Sequence, residues 1–279
     1  MPRKTLRPCS YPGCPNLVEG GRCELHKENK GNSRFSSIKR DPAVQRLYNL
    51  AWERRRASWL AAHPWCEECF DRGLYVGATE VHHVIPHKGD QEIFILSPLQ
   101  SLCHACHLKK TLGEMRGDTP YYPVILRDLT VPLHMVCGPP GSGKNTYINE
   151  RAVLDDLIID LDQIIADLTG KPLYYPREDG ALTRGWQVRN DILKSLEQPQ
   201  EKIHEAWFIV SAGMTSDRRI WKELLRPESV TVLKTSEEEC IKRIRKDYRR
   251  ARIADQHIEA VKRWHQYFVA QDDEDVIEN

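Results

Sequence analysis

Residues 138–146 limit the possible folds of this chain more than any other feature of its sequence. They read GPPGSGKNT and directly follow an apolar run at 131–137 that predicts a buried strand. The pattern G-x4-G-K between a strand and a helix is typical of a phosphate-binding loop, because glycines let successive backbone N–H groups surround phosphate oxygens. A helix that begins near Lys144 adds its positive end, and the lysine reaches the β- and γ-phosphates. We therefore predict an ATP site formed by Gly138, Pro139, Gly141, Ser142, Gly143, Lys144, Asn145 and Thr146.

The loop departs from the usual pattern at one position. Asn145 stands where a serine or threonine hydroxyl normally binds Mg²⁺, and its amide oxygen is a weaker ligand. The sequence therefore supports nucleotide binding at this loop more directly than it supports catalysis there.

The segments after the loop alternate between strands and helices, as they do in an α/β domain. We expect further strands at 157–160, 206–211 and 229–234. The expected helices lie near residues 161–169, 184–197, 216–225, 236–248 and 254–268. These elements predict an α/β domain over residues 131–270, with a parallel sheet of about four or five strands and helices on its flanks. The acidic tail at 271–279 is expected to be disordered.

Seven of the nine cysteines lie before residue 107, and their spacing favours metal binding over disulfides in a reducing compartment. The two CxxC pairs offer four thiolates, which suit one closed, tetrahedral structural zinc site. These ligands are Cys66, Cys69, Cys103 and Cys106. A second zinc set, in a polar segment too short to form a core, consists of Cys9, Cys14, Cys23 and His26. We therefore predict a zinc knuckle at 1–32 and a zinc-stabilised domain at 33–116, followed by a linker at 117–130.

Histidines lie between and just after the two CxxC pairs. The run TEVHHVIPH (79–87) alternates like a strand and points His82 and His83 to opposite faces, and a helix is expected to begin near His107. A strand histidine and a helix histidine that zinc holds together can form a divalent-metal site with a general base beside it. Histidine suits both roles, because its neutral form binds metals and its ordinary pKa lies near neutrality.

The segments CEECFDRGL (66–74), VHHVIPHKGD (81–90) and LQSLCHACHLKKT (99–111) resemble HNH endonucleases of the ββα-metal type found in phage genomes. The resemblance covers residues 1–115. It implies that His83 is the general base that activates water, and that His82 and His107 bind a catalytic Mg²⁺ or Mn²⁺. The metal would stabilise the leaving 3′-oxygen and leave 5′-phosphate and 3′-hydroxyl ends.

This segment differs from the HNH pattern at two positions. His82 stands where many relatives have an aspartate ligand, and Pro98 stands where the family's middle asparagine orients the base. Ser97 and Gln100 are the candidates to replace that asparagine. An active nuclease and a domain retained only for DNA binding therefore both remain open.

The C-terminal part resembles the small P-loop kinases, which include polynucleotide kinases and zeta-toxin-like kinases. The resemblance rests on the loop at 138–146, on IDLDQI (159–164) and on the arginine-rich stretch 241–252. It implies that Asp162 accepts the proton of the substrate hydroxyl, with Asp160 as the second choice or a Mg²⁺ ligand. It also implies a lid whose arginines neutralise the transferred phosphoryl group. The lid arginines would be Arg245, Arg249 and Arg250, while Arg218 and Arg219 are candidates for contact with an anionic acceptor.

Charge is distributed unevenly along a chain whose net charge is +1. Residues 1–116 hold 18 lysines and arginines against 12 aspartates and glutamates, and the remainder is acidic. A basic N-terminal part favours a polyanionic partner, and the helix predicted at 42–63 carries Arg54, Arg55 and Arg56. No run reaches the ~18 apolar residues of a membrane-spanning helix, and the N-terminus has no secretory h-region. We therefore expect a cytoplasmic DNA-binding protein without a membrane partner, in the host cell if a phage encodes it.

Together the two resemblances imply a bifunctional nucleic-acid end-processing enzyme. A metal-dependent HNH DNA endonuclease would be joined to an ATP-dependent phosphotransferase that acts on polynucleotide 5′-hydroxyl ends, of DNA and as a further option of RNA. The implied cofactors are two structural Zn²⁺ ions, Mg²⁺ or Mn²⁺, and ATP. Two alternatives remain: a P-loop ATPase that gates the nuclease, and a zinc-containing DNA-binding scaffold with both sites degraded.

Overall fold

The computed structural model of the protein describes residues 7–8, 16–19, 23–24, 41–116, 125–176 and 179–278. The chain divides into two compact units, Met1–Gln45 and Arg46–Asn279. From Arg46 onward, the predicted zinc-stabilised domain (33–116) and the predicted α/β domain (131–270) therefore belong to one unit.

The first unit contains a short antiparallel pair of strands, β1 (Arg7–Pro8) and β2 (Leu17–Val18). Cys23 is buried, and its sulfur accepts a hydrogen bond from the Asn16 side chain at 3.5 Å. The other predicted zinc ligands of this unit, Cys9, Cys14 and His26, lie outside the described residues. The N-terminal zinc knuckle therefore remains a prediction.

Two helices, α1 (Pro42–Leu47) and α2 (Leu50–Ala62), stand where one helix was predicted over residues 42–63. The break occurs because Asn49 caps α2. Its side-chain oxygen accepts hydrogen bonds from the backbone N–H groups of Ala51 and Trp52 at 2.9 and 3.2 Å. Such a cap satisfies N–H groups that the start of a helix leaves without an intrahelical partner.

A small two-stranded sheet packed on a helix follows. Its elements in chain order are α3 (Glu67–Phe70), β3 (Glu80–His83), α4 (Gln91–Leu96), β4 (Leu99–Leu102) and α5 (His104–Arg116). Strands β3 and β4 are antiparallel, with His82 opposite Gln100 and His83 opposite Leu99. Because successive strand residues face opposite sides, His82 and His83 point to different neighbours, and both are buried.

The α/β part has the predicted parallel sheet, with five strands in the order β6-β7-β5-β8-β9. The strands are β5 (Leu133–Cys137), β6 (Leu157–Ile159), β7 (Ala206–Val210), β8 (Ser229–Lys234) and β9 (Asp275–Glu278). The helices are α6 (Lys144–Asn149), α7 (Leu161–Thr169), α8 (Ala181–Ser195), α9 (Thr215–Leu225), α10 (Glu237–Lys246) and α11 (Ala254–Tyr267), with a 3-10 turn at Tyr248–Arg250. No helix in the described ranges is long and apolar enough to cross a membrane.

The main core lies on one face of this sheet. Leu133, Met135 and Cys137 of β5 belong to it, while Val136 belongs to a second cluster on the opposite face. This alternation is the period of two that a strand imposes. It also explains why the run 131–137 is apolar throughout, since both faces of a central parallel strand are covered.

The predicted linker contains two residues that are packed in the core. Ile125 and Leu126 are buried in the main core, and the backbone N–H of Leu126 donates to the carbonyl of Leu224 at 2.9 Å. Val84, which directly follows β3, lies in the same core cluster. The zinc-ligand part and the α/β part thus share buried apolar surface.

The expectation of a disordered acidic tail was wrong for residues 275–278. These residues form β9, which pairs in parallel with β8 at the edge of the sheet. Glu274 just before it is fully buried, and its carboxylate accepts a hydrogen bond from Arg218 at 2.7 Å. A buried acid needs such a partner, and the partner is distant in the sequence.

Arg218 and Arg219, the candidates for contact with an anionic acceptor, are engaged within the protein and line neither cavity beside the phosphate loop. Arg218 is fully buried and also donates to the carbonyls of Gly213 and Val269. Arg219 pairs with Glu67 at 2.7 Å, so it faces the cysteine-bearing part of the chain. Both arginines hold structural elements together.

Candidate functional sites

The four predicted cysteine ligands converge. Cys66, Cys69, Cys103 and Cys106 place their sulfur atoms within 4.8 Å of one another. The Cys69 sulfur lies 3.7 Å from that of Cys106 and 4.0 Å from that of Cys103. Four sulfurs at ~2.3 Å from one tetrahedral zinc would lie ~3.8 Å apart, so the arrangement fits a closed zinc site.

Charge around this cluster also suits thiolates. Arg72 donates to the sulfurs of Cys69 and Cys106 at 3.5 and 3.4 Å. The backbone N–H of Cys106 lowers the pKa of Cys103 to about 7, whereas burial raises the pKa of Cys69. Buried thiols without a metal resist ionisation, and a cation that binds four thiolates supplies the missing charge.

His82 and His107 lie together on the other side of β3, where α5 crosses it. Their rings are 5.6 Å apart between centroids and meet at 74°. Glu114, two turns after His107 on α5, brings its Oε1 within 3.0 Å of the His82 Nε2. These imidazoles and the carboxylate are suitable ligands for a divalent metal ion.

His83 occupies an aromatic pocket on the opposite face of β3. Its ring stacks on Trp52 at 4.7 Å between centroids and lies 4.6 Å from Phe94. Burial lowers the pKa of His83 to about 3, with the nearby charges of His87 and Arg55 adding to the effect. The imidazole is therefore neutral near neutral pH, and in this environment it is a weaker base than an ordinary imidazole.

The side chains of Ser97 and Gln100, predicted to replace the HNH asparagine, form hydrogen bonds with partners other than His83. The Ser97 hydroxyl accepts a hydrogen bond from the backbone of Ile85 at 2.9 Å, and the Gln100 side chain accepts one from Lys110. His87 lies beside His83 instead, at 5.2 Å between ring centroids. Tyr48 contacts the Nε2 of His87 through its hydroxyl at 3.1 Å.

The helix arginines predicted to meet phosphates are partly engaged within the protein. Arg55 donates to the carbonyls of Phe94 and Ile95 at 3.3 and 3.0 Å. Arg56 donates to the carbonyl of Thr79 at 2.5 Å. Both therefore tie α2 to the rest of the histidine-bearing part.

The phosphate loop has the shape that its glycines predict. Gly138 has a φ of +151°, and a Cβ atom there would lie 2.8 Å from the carbonyl oxygen of Leu233. Gly141 has a φ of +81°, and a Cβ atom there would lie 2.9 Å from the carbonyl oxygen of Cys240. Only glycine combines these backbone angles with such close approach.

Lys144 and Asn145 are fixed by contacts within the loop region. The Lys144 ammonium donates to the carbonyls of Gly138 and Pro139 at 2.7 and 2.9 Å, and burial lowers its pKa to about 8. Asn145 donates through its side-chain amide to Asp160 at 2.9 Å. Asp160 in turn caps α7, because its other oxygen accepts the backbone N–H of Asp162 at 3.0 Å.

A cavity of about 400 Å³, here called the phosphate-loop cavity, collects most of the predicted nucleotide-site residues. Its lining includes Gly141, Gly143, Lys144, Asn145, Thr146, Asp160, Asp162, Arg249 and Arg250. Ser142 is buried behind the loop. Of the predicted lid arginines, Arg245 does not line the cavity. Arg243 does, and it donates to the carbonyl of Gly141 at 3.4 Å.

Two arginines of this cavity were missed by the sequence analysis. Arg243 lies within the predicted lid stretch 241–252, two residues before Arg245, and this spacing places the two arginines about half a helical turn apart. Arg189 of α8 is buried and reaches the cavity from a helix to which no site was assigned. An isolated arginine in an amphipathic helix carries no sequence signal for a site.

A second cavity of about 590 Å³, the neighbouring cavity, adjoins the first. The two share Pro140, Asp162, Tyr174, Ser211 and His257 in their linings. Cationic side chains lie over its tyrosines. These contacts are Arg250 over Tyr174 at 3.7 Å, and Arg252 and Lys171 over Tyr175 at 5.0 and 5.6 Å.

The α/β part contacts the cysteine-bearing part through the start of α9. Arg219 pairs with Glu67 at 2.7 Å and donates to the carbonyl of Leu99 at 3.1 Å. The Ser216 hydroxyl donates to the Asp71 carboxylate. Helix α9 begins after β7, whose carboxyl end lines the phosphate-loop cavity.

Two segments of the chain that form these sites match family models. Residues 66–112 match the model described as HNH endonuclease, and residues 133–270 match the model described as AAA domain. Residues 1–46 match a domain of unknown function. The two segments thus resemble an HNH endonuclease domain and a P-loop domain, and both resemblances stated from the sequence are confirmed.

Solved structures resemble each part separately. The HNH endonuclease of the deep-sea thermophilic bacteriophage GVE2, solved with a manganese ion, is 29% identical, covers 32% of this chain and 99% of its own, and has a TM-score of 0.26. Shikimate kinase from Acinetobacter baumannii in complex with shikimate is 20% identical over 54% of this chain and 84% of its own, with a TM-score of 0.35. A tunicamycin resistance protein from Deinococcus radiodurans is 18% identical over 53% and 86%, with a TM-score of 0.34. No curated protein matches the chain.

Proposed function

We propose that this protein is a bifunctional nucleic-acid end-processing enzyme. Its HNH part cuts DNA with a divalent metal ion, and its P-loop part transfers the γ-phosphoryl group of ATP to polynucleotide 5′-hydroxyl ends. The observation that carries the proposal is that one compact unit holds both a buried histidine cluster and a phosphate-loop cavity lined by Lys144 and arginines.

In the nuclease part, His83 is the general base that activates water. The aromatic pocket supports this role, because it keeps the imidazole neutral and holds its ring between Trp52 and Phe94. His82 and His107 bind the divalent metal, which supplies charge stabilisation for the leaving 3′-oxygen when bound. The four-cysteine zinc site is structural, and it anchors the start of α5, from which His107 projects.

In the kinase part, Lys144 and the backbone N–H groups of the loop bind the phosphates of ATP. Asp162 is the general base, and its location in the lining of both cavities supports that role. Arg249 and Arg250 neutralise the transferred phosphoryl group, together with Arg243. Asp160 and Asn145 are the side chains suited to a Mg²⁺ ion beside the loop.

The neighbouring cavity supports a nucleic-acid acceptor. It combines aromatic rings with cationic side chains, a pairing that suits the bases and the backbone phosphates of a single-stranded end. Tyr174 and Tyr175 supply the rings, and Lys171 and Arg252 supply the positive charge, while Arg250 of the phosphate-loop cavity lies over Tyr174. A small neutral acceptor would not use this charge.

DNA cleavage with purified protein tests the nuclease part. We expect supercoiled plasmid to be cut in Mn²⁺ or Mg²⁺, and His83→Ala and His107→Ala to lose the cleavage. If His107→Ala lost it while His83→Ala kept it, His83 would not be the base. If the wild type bound DNA without cutting it, the part would be a binding domain.

Phosphate transfer from γ-labelled ATP tests the acceptor. We expect label on 5′-hydroxyl DNA or RNA oligonucleotides, none on 5′-phosphorylated controls, and a raised KM for the oligonucleotide in Tyr175→Ala. Label found only in free phosphate would refute a polynucleotide acceptor.

A second candidate function is gating of the nuclease by the P-loop part. The contacts of Arg219 and Ser216 favour it, because α9 connects the wall of the phosphate-loop cavity to the cysteine cluster. Gating predicts that DNA cleavage requires ATP and is lost in Lys144→Ala. Cleavage that proceeds equally with and without ATP would exclude gating.

A further inference from the structure

Arg245 is a predicted lid arginine to which the phosphate-loop cavity gives no role. It is exposed near the end of α10, next to the exposed Lys246, and neither side chain lines that cavity. Arg243, two residues earlier, pairs with Glu239 at 3.0 Å. Among the described residues, however, no acidic side chain lies within ion-pair distance of Arg245 or Lys246. Both cations are therefore available to an anionic partner from solution.

Asp247 determines where the next arginines lie. Its carboxylate accepts hydrogen bonds from the Arg249 guanidinium at 2.8 and 2.9 Å and from the Arg250 guanidinium at 3.2 Å. Both arginines line the phosphate-loop cavity. Tyr248 lies between Asp247 and these arginines in the chain, yet it is 86% exposed, and no other aromatic ring in the described ranges packs against it. Its ring therefore contributes little packing to the fold.

Four exposed side chains at this turn are here called the lid surface: Arg245, Lys246, Tyr248 and Arg252. Arg252 connects them to the neighbouring cavity, because it lines that cavity and lies over the Tyr175 ring at 5.0 Å. Arg252 follows Tyr248 by four residues, which limits the distance between their Cα atoms to about 14 Å. The lid surface therefore continues from the cavity in which we place the 5′ end of the acceptor.

The chemistry of this surface suits single-stranded nucleic acid. Residues 241–252 hold seven lysines and arginines and one aspartate, a charge that attracts phosphates. Sites for single strands combine such cations with exposed aromatic rings on which bases stack. A membrane fits less well, because Ile241 and Ile244 are not exposed and the stretch lacks the apolar face of a membrane-surface helix. A polynucleotide is therefore the partner that this surface favours.

We propose that the lid surface binds the nucleotides that follow the 5′-terminal one in a single-stranded acceptor. Tyr248 stacks on a base, while Arg245, Lys246 and Arg252 contact phosphates. The inference rests on the proposed kinase function and deepens it, because it makes an oligonucleotide a better acceptor than a single nucleoside 3′-phosphate. It also gives Arg245 a role with the acceptor strand instead of with the transferred phosphoryl group.

Binding of a fluorescent single-stranded 5′-hydroxyl oligonucleotide to the full-length protein tests the proposal. Anisotropy is measured without Mg²⁺ or Mn²⁺, so that the strand is not cut. We expect Tyr248→Ala to weaken binding about five-fold or more, and Tyr248→Phe to bind like the wild type. Arg245→Gln and Lys246→Gln should each lower the slope of log K against log salt by about 0.7. All three side chains are exposed, so these variants are expected to fold.

The matched controls are exposed residues at the other end of the sheet. Leu154→Ala shortens an 88% exposed side chain before β6, and Lys202→Gln removes one exposed positive charge before β7. Both residues precede the amino ends of parallel strands, whereas the phosphate loop follows the carboxyl end of β5. Both variants should bind the oligonucleotide like the wild type.

Phosphate transfer from γ-labelled ATP separates this proposal from the proposed kinase function. Tyr248→Ala should raise the KM for the oligonucleotide about five-fold more than the KM for a nucleoside 3′-phosphate. If no acceptor is labelled but binding still depends on Tyr248 and Lys246, the kinase function fails and the lid surface stands. If the oligonucleotide is labelled and neither its KM nor its binding changes in Tyr248→Ala, the lid surface fails and the kinase function stands. Weaker binding of duplex DNA alone, with single-strand binding intact, would also overturn the proposal.

Discussion

Replacement of Arg218 by methionine is expected to destabilise the α/β part severely. Arg218 and Glu274 are fully buried and lie 2.7 Å apart, and Arg218 also donates to the carbonyls of Ala212 and Gly213 at 3.2 and 2.8 Å. Methionine retains much of the side-chain volume but removes every donor. The variant therefore leaves several buried carbonyl oxygens without this donor and removes the nearer cation from the Glu274 carboxylate, which retains Lys222 at 3.5 Å and the backbone N–H of Gln271 at 3.2 Å.

The magnitude follows from the charge left behind. Removing one partner of a buried ion pair costs about 3–5 kcal/mol when the remaining charge is left uncompensated, and we expect the lower end of this range because Lys222 stays near Glu274. This compares with about 5–15 kcal/mol for the whole free energy of unfolding of a typical protein. Glu274 directly precedes β9, so we expect the edge strand to detach first.

Urea unfolding followed by tryptophan fluorescence measures this loss. The double variant Arg218→Met, Glu274→Leu should recover most of the stability, because an apolar pair of similar volume often matches a buried ion pair. Lys234→Met removes an exposed partner of Glu278 and should change stability by about 1 kcal/mol or less. A loss below about 1 kcal/mol in Arg218→Met would refute the reasoning.

Two further predictions concern the contact between the parts and the zinc site. Burial, and then the nearby charge of Asp71, raise the pKa of Asp217 to about 6, so the folded state holds a proton that the unfolded state releases, and stability falls as pH rises from about 4 to 6. Asp217→Asn should therefore be more stable than the wild type at pH 7, by about 1–2 kcal/mol in urea unfolding. This is less than the free energy of the full pKa shift, because the side chain retains some solvent contact. The advantage should vanish near pH 4. Cys103→Ser should lose one zinc per chain by elemental analysis and melt at a lower temperature; unchanged zinc content would exclude Cys103 as a ligand.

The strands, helices and loops whose limits are set by residues close in the sequence were predicted accurately. The strand at 229–234 and the helix at 161–169 have the predicted bounds. The strand coincides with an apolar run, and the helix lies between the capping residues Asp160 and Gly170. The phosphate loop forms between β5 and α6 as expected. The parallel sheet and the convergence of the CxxC pairs also follow from the sequence pattern.

Features that depend on distant partners were not predicted. The acidic residues at 272–275 suggested disorder, but burial of Glu274 against Arg218 orders the segment before β9. Arg189 and Arg243 reach the phosphate-loop cavity because of the way their helices pack. The sequence pattern of each helix does not predict this packing. The contact of Glu114 with His82 was also not predicted, because it joins α5 to β3.

In the function that we propose, DNA cleavage and phosphate transfer are separate activities of one chain. The most direct test incubates plasmid DNA and a 5′-hydroxyl oligonucleotide with γ-labelled ATP and follows both reactions in one tube, for the wild type, His83→Ala and Lys144→Ala. We expect His83→Ala to stop DNA cleavage and to retain labelling of the oligonucleotide. We expect Lys144→Ala to stop the labelling and to retain the cleavage. Loss of both activities in either variant, or label that never reaches the oligonucleotide, would contradict the proposed function.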